Sequence, residues 1–172
     1  MARVEEQNLF QYPNTTDIRR ITRACLYRLD AFDAGVPGIP EKLAEIVVNG
    51  LPEEAAQANL YAMMLVYPLM GRFMTEVVAE HLQQGAAELT RQDLNAFFTR
   101  MQVEDSSVGS WTDNTIRRIK STLTNCLVQA GYLEKRTSTN LMCPLLSEGV
   151  KECIVANGDA NLLPAFGESG VR

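Results

Sequence analysis

The chain has 172 residues, 46 % of them hydrophobic and 22 % charged, with a formal net charge of −5. That composition excludes global disorder and allows one domain or two small subdomains sharing an interface. The negative balance argues against a surface that grips nucleic acid all over, but leaves room for a local basic face.

One histidine and four cysteines, with no pair in C-x-x-C spacing, give no basis for a zinc site, and no metal or other cofactor is expected. Cys25 and Cys126 fall on apolar helix faces, where a thiol acts as a small hydrophobe. Unpaired thiols fit a reducing, cytoplasmic location. Residues 1–8 contain no apolar run, so no signal peptide is expected. The longest uncharged run, between Glu54 and Arg72, includes Gln57, Asn59 and Pro68 and is shorter than the roughly 20 apolar residues of a spanning helix. It reads as core, not membrane.

In chain order, Thr15, Thr16 and Asp17 supply a helix start, and Ile18, Ile21, Cys25, Leu29 and Phe32 recur at helical spacing. Arg19, Arg20 and Arg23 lie roughly opposite that stripe. The breaker-rich segment Gly35 to Pro40 ends this helix. A short helix follows from Glu41, with Leu43, Ile46 and Val47 inward and Gly50 as its stop. Pro52 starts the next helix, which Pro68 kinks or restarts. Apolar nearly all round, residues 60–78 are expected to form the central helical hairpin of the core, continuing to about Leu82.

Leu89 to Asp93 reads as a cap and first turn, with Leu94, Phe97, Phe98 and Met101 inward. A polar loop, Glu104 to Ser110, leads to a helix capped by Ser110 or Thr112. Its buried stripe is Ile116, Ile119, Leu123, Cys126, Leu127 and Ala130, and Gly131 ends it. Tyr132 to Met142 holds two short apolar stretches around a polar turn, which suits a small β-hairpin. A last helix spans about Ser147 to Ala156. The tail should be irregular, with Leu162, Leu163 and Phe166 docking back.

Helix, loop, helix and hairpin is the order of a winged helix-turn-helix. The expected fold is therefore mainly α. It is a helical bundle (residues 1–86) with a C-terminal winged helix-turn-helix-like unit and short β-hairpin wing (87–172), either as two regions or joined in one compact unit. Such a second helix must be apolar on one side and polar with cations on the other. Asn114, Thr115, Arg117, Arg118, Lys120 and Ser121 meet the second requirement, and Lys135 and Arg136 sit at the hairpin tip, where a wing meets phosphates. Residues 111–136 hold five cations against two acids, and residues 17–29 hold four arginines against one aspartate. In an acidic chain, cations so gathered point to two basic patches.

Enzymatic readings find no support. The chain has no P-loop, no G-x-G-x-x-G, no G-x-S-x-G and no H-E-x-x-H, and Glu80 beside His81 reads as a helix-surface pair. Neither catalysis nor a small-molecule substrate is expected.

Several stretches in order carry a resemblance. They are residues 6–11 (Glu6, Gln7, Asn8, Leu9, Phe10, Gln11) followed by Thr16, Arg19, Arg20, Arg28 and Leu29; Ala56 with Gln57; Tyr67 to Leu69; and Leu89, Thr90 and Asp93 with Phe97 and Phe98. The most specific is Trp111 to Arg118, running into Gln129 to Leu133. With this order and spacing, the chain resembles the BrxA family of bacteriophage-exclusion (BREX) systems from about Glu5 to Phe166. Members of that family carry additional residues, including a short helix, ahead of the point where this chain starts. The resemblance implies a mainly helical fold, binding to double-stranded DNA without marked sequence preference, a role in phage defence beside other BREX subunits, and no catalytic residue. A protein-interaction subunit that assembles the complex without binding DNA is the alternative. RNA binding by a helical bundle is a third reading, without the aromatic-rich sheet that single-strand readers use.

Overall fold

Proline and polar caps set most helix starts in this chain. A computed structural model describes residues 2–8 and 11–168, and they are mainly helical. A short α1 (Ala2–Glu6) precedes α2 (Thr15–Asp30). The cap of α2 is Asn14, not a threonine: its Oδ1 accepts from the Asp17 amide at 2.8 Å. Asn14 is extended, so its side chain reaches an orphan amide of the first turn.

Pro40 and Pro52 stand in the first turns of α3 (Ile39–Asn49) and α4 (Pro52–Val66). Tyr67 is extended, with φ −116° and ψ 97°, and Pro68 opens α5 (Pro68–Phe73). A π-helical turn (Met74–Val78) and α6 (Ala79–Gln83) continue it. The missing Pro68 N–H turns the expected hairpin into an elbow bent by 113°. Tyr61, Phe73, Met74 and Val78 along it are wholly buried. Among the described residues no single helix is long and apolar enough to cross a membrane; the bent pair passes that test only jointly.

Two elements follow as expected. Thr90 caps α7 (Arg91–Glu104) in a reciprocal box with Asp93. Thr112 caps α9 (Asp113–Gln129), its Oγ1 accepting from the Thr115 amide at 3.2 Å. The polar connection between them holds one helical turn, α8 (Ser106–Gly109), capped by Asp105. Finally α10 (Glu148–Ala156) leads into a 3₁₀ helix, Ala160–Phe166, which docks Leu163 and Phe166 into the core. Phe97 links the two halves of the chain, meeting Phe73 at 5.3 Å and Phe98 at 5.5 Å between ring centroids. Buried residues from Phe32 to Phe166 form one contiguous cluster.

Several expectations need correction. Leu29 and Val47 are exposed rather than inward, and Ile21, Cys25, Ile119 and Cys126 are half-buried. In α2 the buried positions are Ile18 and Thr22, one helical turn apart.

The β-hairpin wing does not form. Among the described residues there are no strands, only a single antiparallel bridge between Glu88 and Asn140. The amides of Tyr132 and Leu133 both turn back to the Leu127 carbonyl, at 2.8 and 3.4 Å, closing the end of α9. Donors spent on that cap are lost to a cross-strand ladder. The returning limb keeps one bond to the outgoing one, Met142 N to Tyr132 O at 2.9 Å, and otherwise pairs with the segment before α7: Leu89 N donates to Thr139 O at 2.7 Å, and Leu141 N to Ala87 O at 2.9 Å. Residues 133–139 are therefore a turn laid between α7 and α9.

Candidate nucleic-acid interface

The start of α7, one flank of α9 and the 133–139 turn enclose a groove of about 310 Å³. Four cations border it: Arg91, Arg117, Lys120 and Arg136. No carboxylate is among its lining residues, and Leu94, Leu127 and Leu133 form an apolar floor.

Each cation is held differently. Arg117 leaves α9 one turn after its cap and is exposed. Lys120 is half-buried: its Nζ donates to Asn95 Oδ1 at 2.8 Å and lies 5.1 Å from the centre of the Phe98 ring. Burial pushes its ammonium below the ordinary lysine range. Only one of its three donors is used by Asn95. Arg136 donates to Ser121 Oγ, tying the turn to α9. Arg91 stands at the first position of α7, where the helix dipole disfavours a cation. Among the described residues no carboxylate pairs with Arg91, Arg117, Arg118, Lys135 or Arg136.

Of the residues singled out in the sequence, the groove thus gathers Arg117, Lys120, Ser121 and Arg136. Asn114 and Arg118 are exposed on the outer ridge of α9. Thr115 is half-buried and bonded to Thr112 in the cap. Lys135 is exposed on the far side of the turn, near Asn125 and Glu134. Arg19, Arg20 and Arg23 are exposed on α2 and do not line the groove. Arg20 pairs with Asp17 at 3.1 Å.

Sequence reasoning missed Arg91. It sits in a capping segment whose pattern explains itself without function, and its only signal was a positive charge at a helix start. Arg28, the fourth arginine of α2, is half-buried and donates from Nη1 to Asn59 Oδ1 at 3.1 Å.

His81 Nδ1 lies 2.9 Å from the Val77 carbonyl, and Nε2 is 3.6 Å from Asp93, the carboxylate of the α7 cap. Among the described residues no group of three or more His, Cys, Asp or Glu could hold a metal ion.

Fold and site define a mainly helical protein with a cationic groove beside its 17-residue α9. Residues 1–158 match the family model described as BrxA, and the chain belongs to the BrxA family. It is 31 % identical over 154 residues to the BREX protein BrxA of Bacillus cereus (strain H3081.97), spanning 89 % of this chain and 74 % of that one. To the BREX protein BrxA of Escherichia coli O9:H4 (strain HS) it is 22 % identical over 156 residues, 91 % of this chain and 70 % of that one. The crystal structure of an uncharacterized protein from Magnetospirillum magneticum shares the fold. Its TM-score is 0.75 at 20 % identity, over 95 % of this chain and 80 % of that one.

Proposed function

We propose that this chain is a non-catalytic component of BREX anti-phage defence, acting beside other BREX subunits in the cytoplasm, and that it binds double-stranded DNA along α9. One observation carries the reading: four cations border a single groove with no acid among its lining residues, in a chain of net charge −5. Unpaired cations facing one another repel, so their gathering favours an anionic ligand. A helix of 17 residues is about 25 Å long by its rise per residue, and the major groove of B-DNA admits one.

In this reading Arg91, Arg117, Lys120 and Arg136 meet phosphates, with Lys135 beside them. Asn114, Arg118 and Ser121 face the bases or the sugar–phosphate edge, and the 133–139 turn takes the place of a wing without strands. Thr115 contributes by holding the cap. Arg19, Arg20 and Arg23 add a second basic patch on α2 that supports binding to longer duplexes. Contacts made mostly to phosphates give little sequence preference.

Anisotropy titration of a labelled 30-base-pair duplex at two salt concentrations tests this. Affinity should fall steeply with salt. The double substitution Arg117→Ala with Arg136→Ala should weaken binding at least about tenfold, on the scale of two charge-assisted contacts, with an unchanged circular dichroism spectrum. No duplex binding at low salt, an unaffected double variant, or preferential competition by RNA would remove the reading.

A further inference from the structure

The opposite flank of α9 faces a cleft of about 380 Å³ with different chemistry. Met63 of α4, Tyr67 and Met70 at the elbow, and Trp111 and Ile119 beside and along α9 line it. Arg28 of α2 borders it and is the only charged residue among its lining. One flank of the same helix thus offers several cations over a small apolar floor; the other offers an apolar trough with a single guanidinium.

Arg28 is incompletely satisfied. Nη1 donates to Asn59, but Nε is buried with no hydrogen-bond partner. Buried donors in folded proteins nearly always have partners. Nε itself is sealed from a ligand, but Nη2 is neither buried nor bonded, and an arriving carboxylate would pair with it through a charge-assisted hydrogen bond. The walls call for an apolar group beside that acid. Aromatic and methionine side chains are the surfaces on which protein partners anchor.

Other occupants fit less well. A phosphate backbone finds no use for apolar walls. A second copy meeting the same face would bring another Arg28 and no acid. We infer that the cleft between the α4–α5 elbow and α9 takes an acidic peptide segment of another BREX subunit, with an apolar side chain between Met70 and Trp111 and a neighbouring carboxylate on Arg28. This rests on membership of a BREX family and not on the reading of the groove as a duplex site.

The chain has one tryptophan, so 5-fluorotryptophan labelling places a single ¹⁹F resonance at the cleft wall. The full chain, so labelled, is mixed with each of the other subunits encoded by its own BREX system and followed by size-exclusion chromatography and ¹⁹F spectra. One subunit should co-elute and shift the Trp111 resonance. Arg28→Gln and Thr122→Phe, the latter filling the cleft from an exposed lining position, should each weaken that association at least tenfold. The Arg117→Ala and Arg136→Ala double variant should leave it intact while losing duplex binding, which separates the two sites. The inference is overturned if no subunit associates, if the chain associates only with itself, or if a complex forms with the resonance unmoved and both cleft variants at wild-type affinity.

Discussion

Arg136 donates from Nη2 to Oγ of Ser121, fifteen residues earlier, and so fastens the 133–139 turn against α9. The bond does two jobs: it closes one side of the groove and it aims a guanidinium along it. Ser121→Ala separates them, freeing the turn but keeping the charge. Loss of one neutral-acceptor bond of about 1 kcal/mol should cost duplex affinity no more than severalfold, since part of it is recovered in water. Arg136→Ala removes both and should cost about tenfold. Equal losses in a titration would show that the turn's position, not its charge, matters.

Arg117 and Arg118 are adjacent in sequence but diverge in space, one lining the groove and the other on the outer ridge. If Arg117 meets a phosphate, Arg117→Ala lowers the slope of log affinity against log salt by about one, uniformly across DNA sequences. Arg118→Ala, on the outer ridge, should weaken binding with a smaller change in that slope. Identical salt slopes for wild type and Arg117→Ala would take Arg117 out of the phosphate contacts.

Lys120 is held by Asn95 and the Phe98 ring, and its ammonium is partly desolvated at a cost to stability. Lys120→Met keeps the stem over Phe98 and removes the charge. Thermal melting should show unchanged or slightly higher stability, while duplex affinity falls several-fold, the pattern of a residue kept for binding rather than for folding. A large drop in melting temperature would make Lys120 a structural residue.

Asp93 closes the α7 cap by accepting from the Thr90 amide and hydroxyl. Burial pushes its carboxyl up, but the Thr90 hydroxyl and amide, with His81 alongside, together hold it below the usual 3.8. Its folded value being lowered, the stability it contributes is present above the unfolded value and is lost as pH falls through the folded one. Asp93→Asn should cost about 1 kcal/mol at pH 7, the worth of a capping interaction, and much less near pH 3. Denaturant melts at the two pH values check this; a pH-independent difference would contradict it.

Phe97, 2 % exposed, bridges Phe73 and Phe98. Phe97→Ala should destabilise the fold by about 3–5 kcal/mol, as other large-to-small core changes do. Because that cluster joins the two halves of the chain, unfolding should stay a single transition at lower denaturant. Two separate transitions would show that residues 1–86 and 87–172 hold together independently.

Periodicity and capping chemistry were enough to place most helices, because a 3.6-residue apolar stripe and a polar cap are local properties. The Thr90 and Thr112 caps, the Gly131 stop and the tail anchors Leu163 and Phe166 were legible for that reason. Asn14 was passed over because several capping residues stand in a row and only backbone angles choose among them. The wing failed for a different cause: the apolar–polar pattern of residues 132–142 is compatible with a hairpin, but it cannot reveal that the Tyr132 and Leu133 amides are already committed to closing α9.

What the chain's order of residues determined alone was its helical character and the clustering of cations on α9, which depend on neighbours within a few turns, and membership of the BrxA family, which rests on motifs in order along the chain. Tertiary packing decided which cations share a groove. Arg91 joins Arg117, Lys120 and Arg136 because α7 packs beside α9 and the turn folds over both, whereas Arg19, Arg20 and Arg23 do not line it. It also turned Arg28 away from its basic neighbours to the edge of an apolar cleft. Side-chain type and spacing set which face of a helix is charged; only the packing of distant segments sets what that face looks upon.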